Sequence, residues 1–404
     1  MGKALRMANS DLLKLLGLIV IGLPSFVMAQ PAPTPAWTVS DAQALLGVID
    51  RVDEEGLNPS DYDPTSLRKA ILGGDPTTIS FVATQLFDRL AADEIQGRVR
   101  GKARVSWFMS SATLDPAHLN DLLTQALAGH QVGEALATLL PTDPEYRALK
   151  VALAAVPQSD FVGRNRLRVN LERWRWMPRK LGSRYLLVNI PQFVVDLMDG
   201  GNIVARHRVV VGRRASPTPQ FGAAVTGVIL NPSWYVPKSI VAEGIGAMVR
   251  HSPEKARALG YIGSKSVTGA LQVRQLPGPK NALGQMKLVM PNNFTVYLHD
   301  TPSKALFENR MRGLSHGCIR VDKAIDFVTK LLAPVSGWDR TAIDAALAGA
   351  PTTKVDLFVP IPIYITYLTA RAENGAVVFF GDPYGRDSAV IAALDGKPLS
   401  KPGP

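Results

Sequence analysis

The hydrophobic pattern of this chain changes its period once, near Asp160, and that change restricts the fold more than any other feature of the sequence. From Ser40 onward apolar residues recur at helical spacing. Ala42, Leu45, Leu46, Ile49 and Val52 follow a Ser40-Asp41 cap and stop at Gly56. Similar patterns over 66–72, 78–91, 119–127, 134–140 and 146–154 are punctuated by Gly and Pro, so residues 37–160 are predicted to form a helical module. The basic, tryptophan-bearing segment 164–177 reads as one more helix, ended by Pro178. Strand-like runs then follow over 185–190, 193–198, 203–211, 225–230, 287–290, 295–298, 355–358, 363–369 and 377–380. Asp199-Gly200-Gly201-Asn202, between two of these runs, is hairpin-turn chemistry. Residues 322–332 return to a helical pattern. The predicted fold class is α+β: an N-terminal helical module, then a mainly β domain with a few helices over 161–390 and a tail over 391–404.

Charge divides at the same place. Residues 30–160 carry 10 basic and 17 acidic side chains, whereas residues 161–404 carry 32 basic and 16 acidic ones, and the whole chain is +11. The C-terminal part therefore suits an acidic polymer: nucleic acid, an anionic membrane face or a carboxylate-rich wall. The N-terminus chooses among these. Lys3, Arg6 and Lys14 precede an apolar run from Leu15 to Val27 that contains Pro24 and leads into Val27-Met28-Ala29. That is the pattern of a secretory signal peptide over 1–29. The run is shorter than the roughly 20 residues that a bilayer span needs. An exported, periplasmic protein is expected, with an uncleaved anchor as the alternative, no stable membrane span in the mature chain and no nucleic acid partner. Residues 30–36 (QPAPTPA) read as a Pro-rich spacer.

Chemistry concentrates around the one cysteine, Cys318, in Ser315-His316-Gly317-Cys318-Ile319-Arg320. One cysteine makes no internal disulfide, and an unpaired thiol in an oxidising compartment is either buried and inert or kept for reactivity. Its neighbours favour reactivity. His316 and Arg320 are polar and basic, and positive charge lowers a thiol pKa. Gly317 lets substrate approach closely or turns amide N–H groups toward a developing oxyanion. His299, 19 residues upstream, supplies a second imidazole. A thiol with a nearby imidazole is the minimum for nucleophilic acyl transfer.

At these residues the chain resembles the L,D-transpeptidase family with its YkuD-type catalytic domain, whose signature is a His followed at similar spacing by Ser/Thr-His-Gly-Cys and a hydrophobic residue. His299, Ser315, His316, Gly317, Cys318 and Ile319 fit it, while Arg320 stands where many members have Asn. Supporting runs include Arg173-Trp174-Arg175-Trp176, Pro217-Thr218-Pro219, Asn231-Pro232-Ser233-Trp234 and Tyr297-Leu298-His299-Asp300-Thr301-Pro302. The resemblance is closest to the larger periplasmic members with a helical scaffold, and it implies a β-sandwich catalytic domain. It implies that Cys318 attacks the third-residue carbonyl of a tetrapeptide donor stem of peptidoglycan and releases D-Ala. His299 then serves as base and acid, amides at Gly317 and Cys318 form the oxyanion hole, and the acceptor is a third-residue side-chain amine. His316 is expected to orient or polarise the site, Ser315 and Arg320 to shape it or bind stem carboxylates, and carbapenems to acylate Cys318. No metal and no cofactor are implied. Water as acceptor, giving a carboxypeptidase or endopeptidase, and a non-catalytic peptidoglycan-binding protein are the competing readings.

Other residues carry milder expectations. Asn231, Trp234, Tyr235 and Tyr297 are candidates to line the substrate groove, and residues 239–269 are a candidate capping insertion over it. Trp174 and Trp176 are expected to fill a domain interface. His207 is read as a surface residue, His118 and His130 as structural or surface residues, and the Asp300 carboxylate as a turn or cap group that does not orient His299.

Overall fold

The computed structural model describes residues 36–109, 115–349, 351–373 and 375–397; the signal-peptide expectation lies outside them. Seven helices open the described chain: α1 (Val39–Ile49), α2 (Pro64–Gly73), α3 (Pro76–Gln96), α4 (Pro116–Ala128), α5 (Val132–Ala137), α6 (Pro144–Ala155) and α7 (Phe161–Arg175). Four of them start at an Asp-Pro pair. Asp63, Asp75, Asp115 and Asp143 each accept a first-turn backbone N–H, and the proline occupies the position where a missing donor costs nothing. Trp37, Leu45, Phe87, Leu90, Tyr146, Leu149 and Leu171 form the centre of their core.

The second half forms a nine-stranded sheet from β1 (Arg184–Asn189), β2 (Val194–Asp199), β3 (Asn202–Gly212), β4 (Gly222–Leu230), β8 (Met286–Val289), β9 (Leu298–His299), β10 (Gly313–Ser315), β11 (Ile319–Val321) and β12 (Thr353–Thr366). Its order is β10-β3-β11-β9-β8-β4-β12-β1-β2, and β2 also pairs with β3, so the sheet folds over and closes on itself. Leu186, Val195, Val209, Val228, Leu288, Leu298, Ile319 and Ile363 fill the interior. Helix α11 (Ala324–Leu332) buries Phe327, Val328, Leu331 and Leu332 against the same core, with α12 (Arg340–Ala348) beside it. A hairpin of β13 (Ala370–Glu373) and β14 (Ala376–Phe379) and helix α13 (Asp387–Leu394) end the described chain.

The helical and β parts are joined by more than apolar packing. Leu187 and Tyr364 of the sheet belong to the helical core. Arg371 of β13 is buried between Glu145 of α6 and Asp196 of β2, at 3.0 Å from each. Asp196 in turn pairs with Arg206 of β3. Trp174 and Trp176 are buried at this junction, as interface residues would be, with Trp176 packed edge-on against Trp107.

Between β4 and β8 the chain leaves the sheet and builds a small module. It consists of β5 (Trp234–Tyr235), α8 (Lys238–Ile240), a π turn (Val241–Ile245), α9 (Gly246–His251), α10 (Pro253–Ala258) and the hairpin of β6 (Tyr261–Lys265) and β7 (Leu271–Gln275). Trp234, Val236, Val273 and Leu283 give it a core of its own.

Three local expectations are corrected. The run 295–298 is a strand only at Leu298–His299, because Asn292 folds the chain just before it: its side chain bonds Met290 O and Val296 O and receives the Phe294 and Val296 N–H groups. The separate runs 355–358 and 363–369 are largely one strand, β12, which absorbs Pro360 in an irregularity between Asp356 and Ile361. His207 is half-buried and not a freely exposed surface residue. Its Nδ1 lies 3.0 Å from Asp322 O and its ring packs edge-on against Phe327.

Candidate active site

Three adjacent strands set the geometry. Lys287 of β8 is paired with His299 of β9, and His299 with Arg320 of β11. Cross-strand partners share a face, as do residues two apart along one strand. The same register therefore brings Tyr297 and Cys318 alongside that row, Cys318 diagonal to His299, and Ile319 N–H bonds Tyr297 O at 3.0 Å. The sequence spacing between His299 and Cys318 is closed by parallel pairing of β9 with β11.

The imidazole is fixed by its own chain. Its Nδ1 lies 2.5 Å from Asp300 O, and a carbonyl only accepts, so Nδ1 carries the proton and Nε2 is the basic nitrogen. The Asp300 carboxylate faces elsewhere, accepting Gln285 N–H at 2.9 Å and pairing with Lys304. Burial, then the Arg320 charge, pushes His299 down to about 3. The half-buried Cys318 thiol is pushed up by burial, against hydrogen bonds from Tyr297 and the charges of Lys287 and Arg320. The imidazole and the thiol are thus both neutral, and both line one cleft. Lys287 Nζ sits over the Tyr297 ring at 3.9 Å.

The loop that carries the thiol is held from below. Ser315 is buried, donates its hydroxyl to Cys318 O at 2.5 Å and accepts Gly317 N–H at 3.1 Å. Thr218 Oγ1 donates to Gly317 O at 2.7 Å and accepts Gly212 N–H at 2.9 Å, while Tyr384 donates to Gly212 O at 2.6 Å. Gly317 adopts φ 120°, a region closed to other residues, and the space above it is open. Its N–H is bonded to the Ser315 hydroxyl, which does not fit the expectation that this amide is an oxyanion donor. Thr218 and Lys287 had no signal of their own in the sequence, and Thr218 lies in a Pro-Thr-Pro run whose importance is the hydroxyl at its centre.

Cys318, His299, Arg320, Tyr297, Trp234, Ser315 and His316 line one cleft of about 430 Å3, joined by Arg213 and by Ser239, Ile240 and Glu243 of the inserted module. His316 Nε2 lies 3.0 Å from the Glu243 carboxylate. Asn231 is a correction. It lines a neighbouring cleft of about 450 Å3, and its amide donates to the carbonyls of Ala346 and Leu347 at the end of α12. Among the described residues no group of three or more His, Cys, Asp or Glu side chains is placed to hold a metal ion.

Comparison with known proteins accounts for both halves. Residues 183–355 match the family model described as the L,D-transpeptidase catalytic domain, YkuD, and residues 29–153 match the one described as the Scaffold domain. Over these two segments the chain is similar to the L,D-transpeptidase family. A Haemophilus influenzae protein named "Putative L,D-transpeptidase" is 30% identical over 244 residues, 56% of this chain. The match spans 49% of that relative's length. Among solved L,D-transpeptidases, number 3 of Mycobacterium tuberculosis is 13% identical over 46% of this chain and 61% of its own, with a TM-score of 0.24. The catalytic domain of the Enterococcus faecium enzyme acylated by ertapenem is 10% identical over 46% and 99%, with a TM-score of 0.22. The cleft that holds Cys318 and His299 thus lies in the segment that the catalytic-domain model matches, and helices α1 to α5 with most of α6 in the other.

Proposed function

We propose that this protein is a peptidoglycan L,D-transpeptidase in which Cys318 is the nucleophile and His299 the base. The observation that carries this reading is the shared face of β9 and β11, where an imidazole with a free Nε2 and a thiol line the floor of one cleft. His299 Nε2 takes the thiol proton as Sγ attacks the third-residue carbonyl of a tetrapeptide stem. The tetrahedral oxyanion is met by Cys318 N–H and by the nearby Arg320 charge. Collapse breaks the amide bond, and His299 gives its proton to the departing D-Ala amine. The acceptor stem's side-chain amine then attacks the thioester, the C–N bond forms, and Sγ leaves as thiolate and is reprotonated. The +16 excess of the C-terminal part suits a carboxylate-bearing wall, and a wall substrate requires export, in keeping with the signal-like N-terminus. Among the described residues no helix is long and apolar enough to cross a membrane.

The test is mass spectrometry of tetrapeptide muropeptides incubated with the protein. A dimer lighter by one D-Ala and absent with Cys318→Ala or His299→Ala supports the reading. Tripeptide monomer alone makes water the acceptor, and cross-linking by Cys318→Ala protein overturns the mechanism.

A further inference from the structure

Among the described residues, the cleft is lined by the cationic side chains Arg213 and Arg320, by His316 and by a single carboxylate, Glu243. That carboxylate belongs to the inserted module, on the wall facing the thiol loop. It reaches His316, two residues before Cys318, at 3.0 Å. Its backbone is unusual: Val241–Ile245 is a π turn, and Gly244 has φ 129° and ψ −23°, a conformation reserved for glycine. Nothing lies within 4 Å of a Cβ built at Gly244, so lack of room does not explain the glycine. Glu243 therefore sits next to the break in helical backbone between α8 and α9.

The two substrates of the proposed reaction differ in charge. The donor stem brings carboxylate groups, for which the Arg213 and Arg320 side of the cleft is suited. The acceptor brings a primary amine, cationic at neutral pH. We propose that Glu243 is the specificity residue for the acceptor: its carboxylate receives the acceptor ammonium and holds that nitrogen beside the Cys318 thioester. This rests on the transpeptidase reading above and names which residue selects an amine over water. Pro237, Ile240, Leu283 and Phe294 line the same cleft and keep its walls apolar.

The proton balance follows. The ammonium loses one proton to solvent, past the half-exposed Glu243, to become a free amine. The amine attacks the thioester carbonyl, the C–N bond forms and the C–S bond breaks. The second proton passes through His299 to the Cys318 thiolate. Protein and solvent end with the thiol, the neutral imidazole and one released proton.

The test uses the full chain with a tetrapeptide muropeptide as donor and acceptor, following D-Ala release, dimer and tripeptide together as acceptor concentration varies. Glu243→Gln keeps the shape and a hydrogen bond to His316 but removes the charge. It is expected to raise the acceptor concentration for half-maximal cross-linking about tenfold and to shift products from dimer to tripeptide, with Glu243→Asp intermediate. An unchanged dimer-to-tripeptide ratio overturns the proposal. So does a loss of D-Ala release in proportion to the loss of dimer, since Glu243 would then only hold the cleft together. If the unaltered protein releases no D-Ala, the proposal falls with the transpeptidase reading and not through Glu243.

Discussion

His299 is oriented by the main-chain carbonyl of Asp300, its immediate neighbour, at 2.5 Å, and not by any carboxylate. A carbonyl fixes the tautomer without adding a negative charge that would favour imidazolium. With burial and Arg320 acting in the same direction, the base stays neutral far below the usual histidine range.

A pH profile follows from that. Base function requires neutral Nε2, which is present at every pH above about 3. The rate constant for carbapenem acylation of Cys318 is therefore expected to stay level between about pH 5 and 8, with no fall below 6.5. A limb near 6.5 would show His299 to be solvated in the working enzyme. For stability the sign is the reverse of a paired histidine: the unfolded chain binds the extra proton, so His299 destabilises the fold as pH drops from its ordinary value toward 3.

Thr218 is expected to matter without touching substrate. Thr218→Val keeps the shape but strips Gly317 O and Gly212 N–H of their partner. One lost buried hydrogen bond costs on the order of 1–3 kcal/mol, so the thermal midpoint should fall, and the loosened loop should slow acylation about tenfold or more. Stopped-flow carbapenem binding beside a melting curve reads both.

Arg371 holds scaffold to sheet. Arg371→Ala leaves Glu145 and Asp196 as buried carboxylates with one less cation between them, a change worth roughly 3–5 kcal/mol. Urea denaturation should show the loss in a single transition reported by both helix and tryptophan signals.

Glu94 of α3 is buried with Oε2 unpartnered, and burial, with Glu55 nearby, raises its carboxyl well above the usual range. The folded chain then binds the proton more tightly than the unfolded one, and stability falls as pH rises from the ordinary carboxylate value through the raised one. Glu94→Gln is expected to stabilise by on the order of 1 kcal/mol at about pH 8 and to change little at about pH 4. Equal melting shifts at both pH values would refute it.

The sequence by itself determined much of this protein. Helical periodicity punctuated by Gly and Pro marked the helical module, and the hairpin turn at 199–202 aligned β2 with β3, because both signals act over a few residues. The thiol, the two histidines beside it and the Gly317 turn were legible for the same reason. Tertiary structure decided what depends on register between distant segments. Pairing of β8, β9 and β11 placed Lys287, His299 and Arg320 in one row. Asn231, just past β4, donates its amide to the end of α12. The inserted module brings Glu243 into the cleft. No local pattern encodes these placements, since each is fixed by which strand lies beside which and by the side chains that the closed sheet has room to bury.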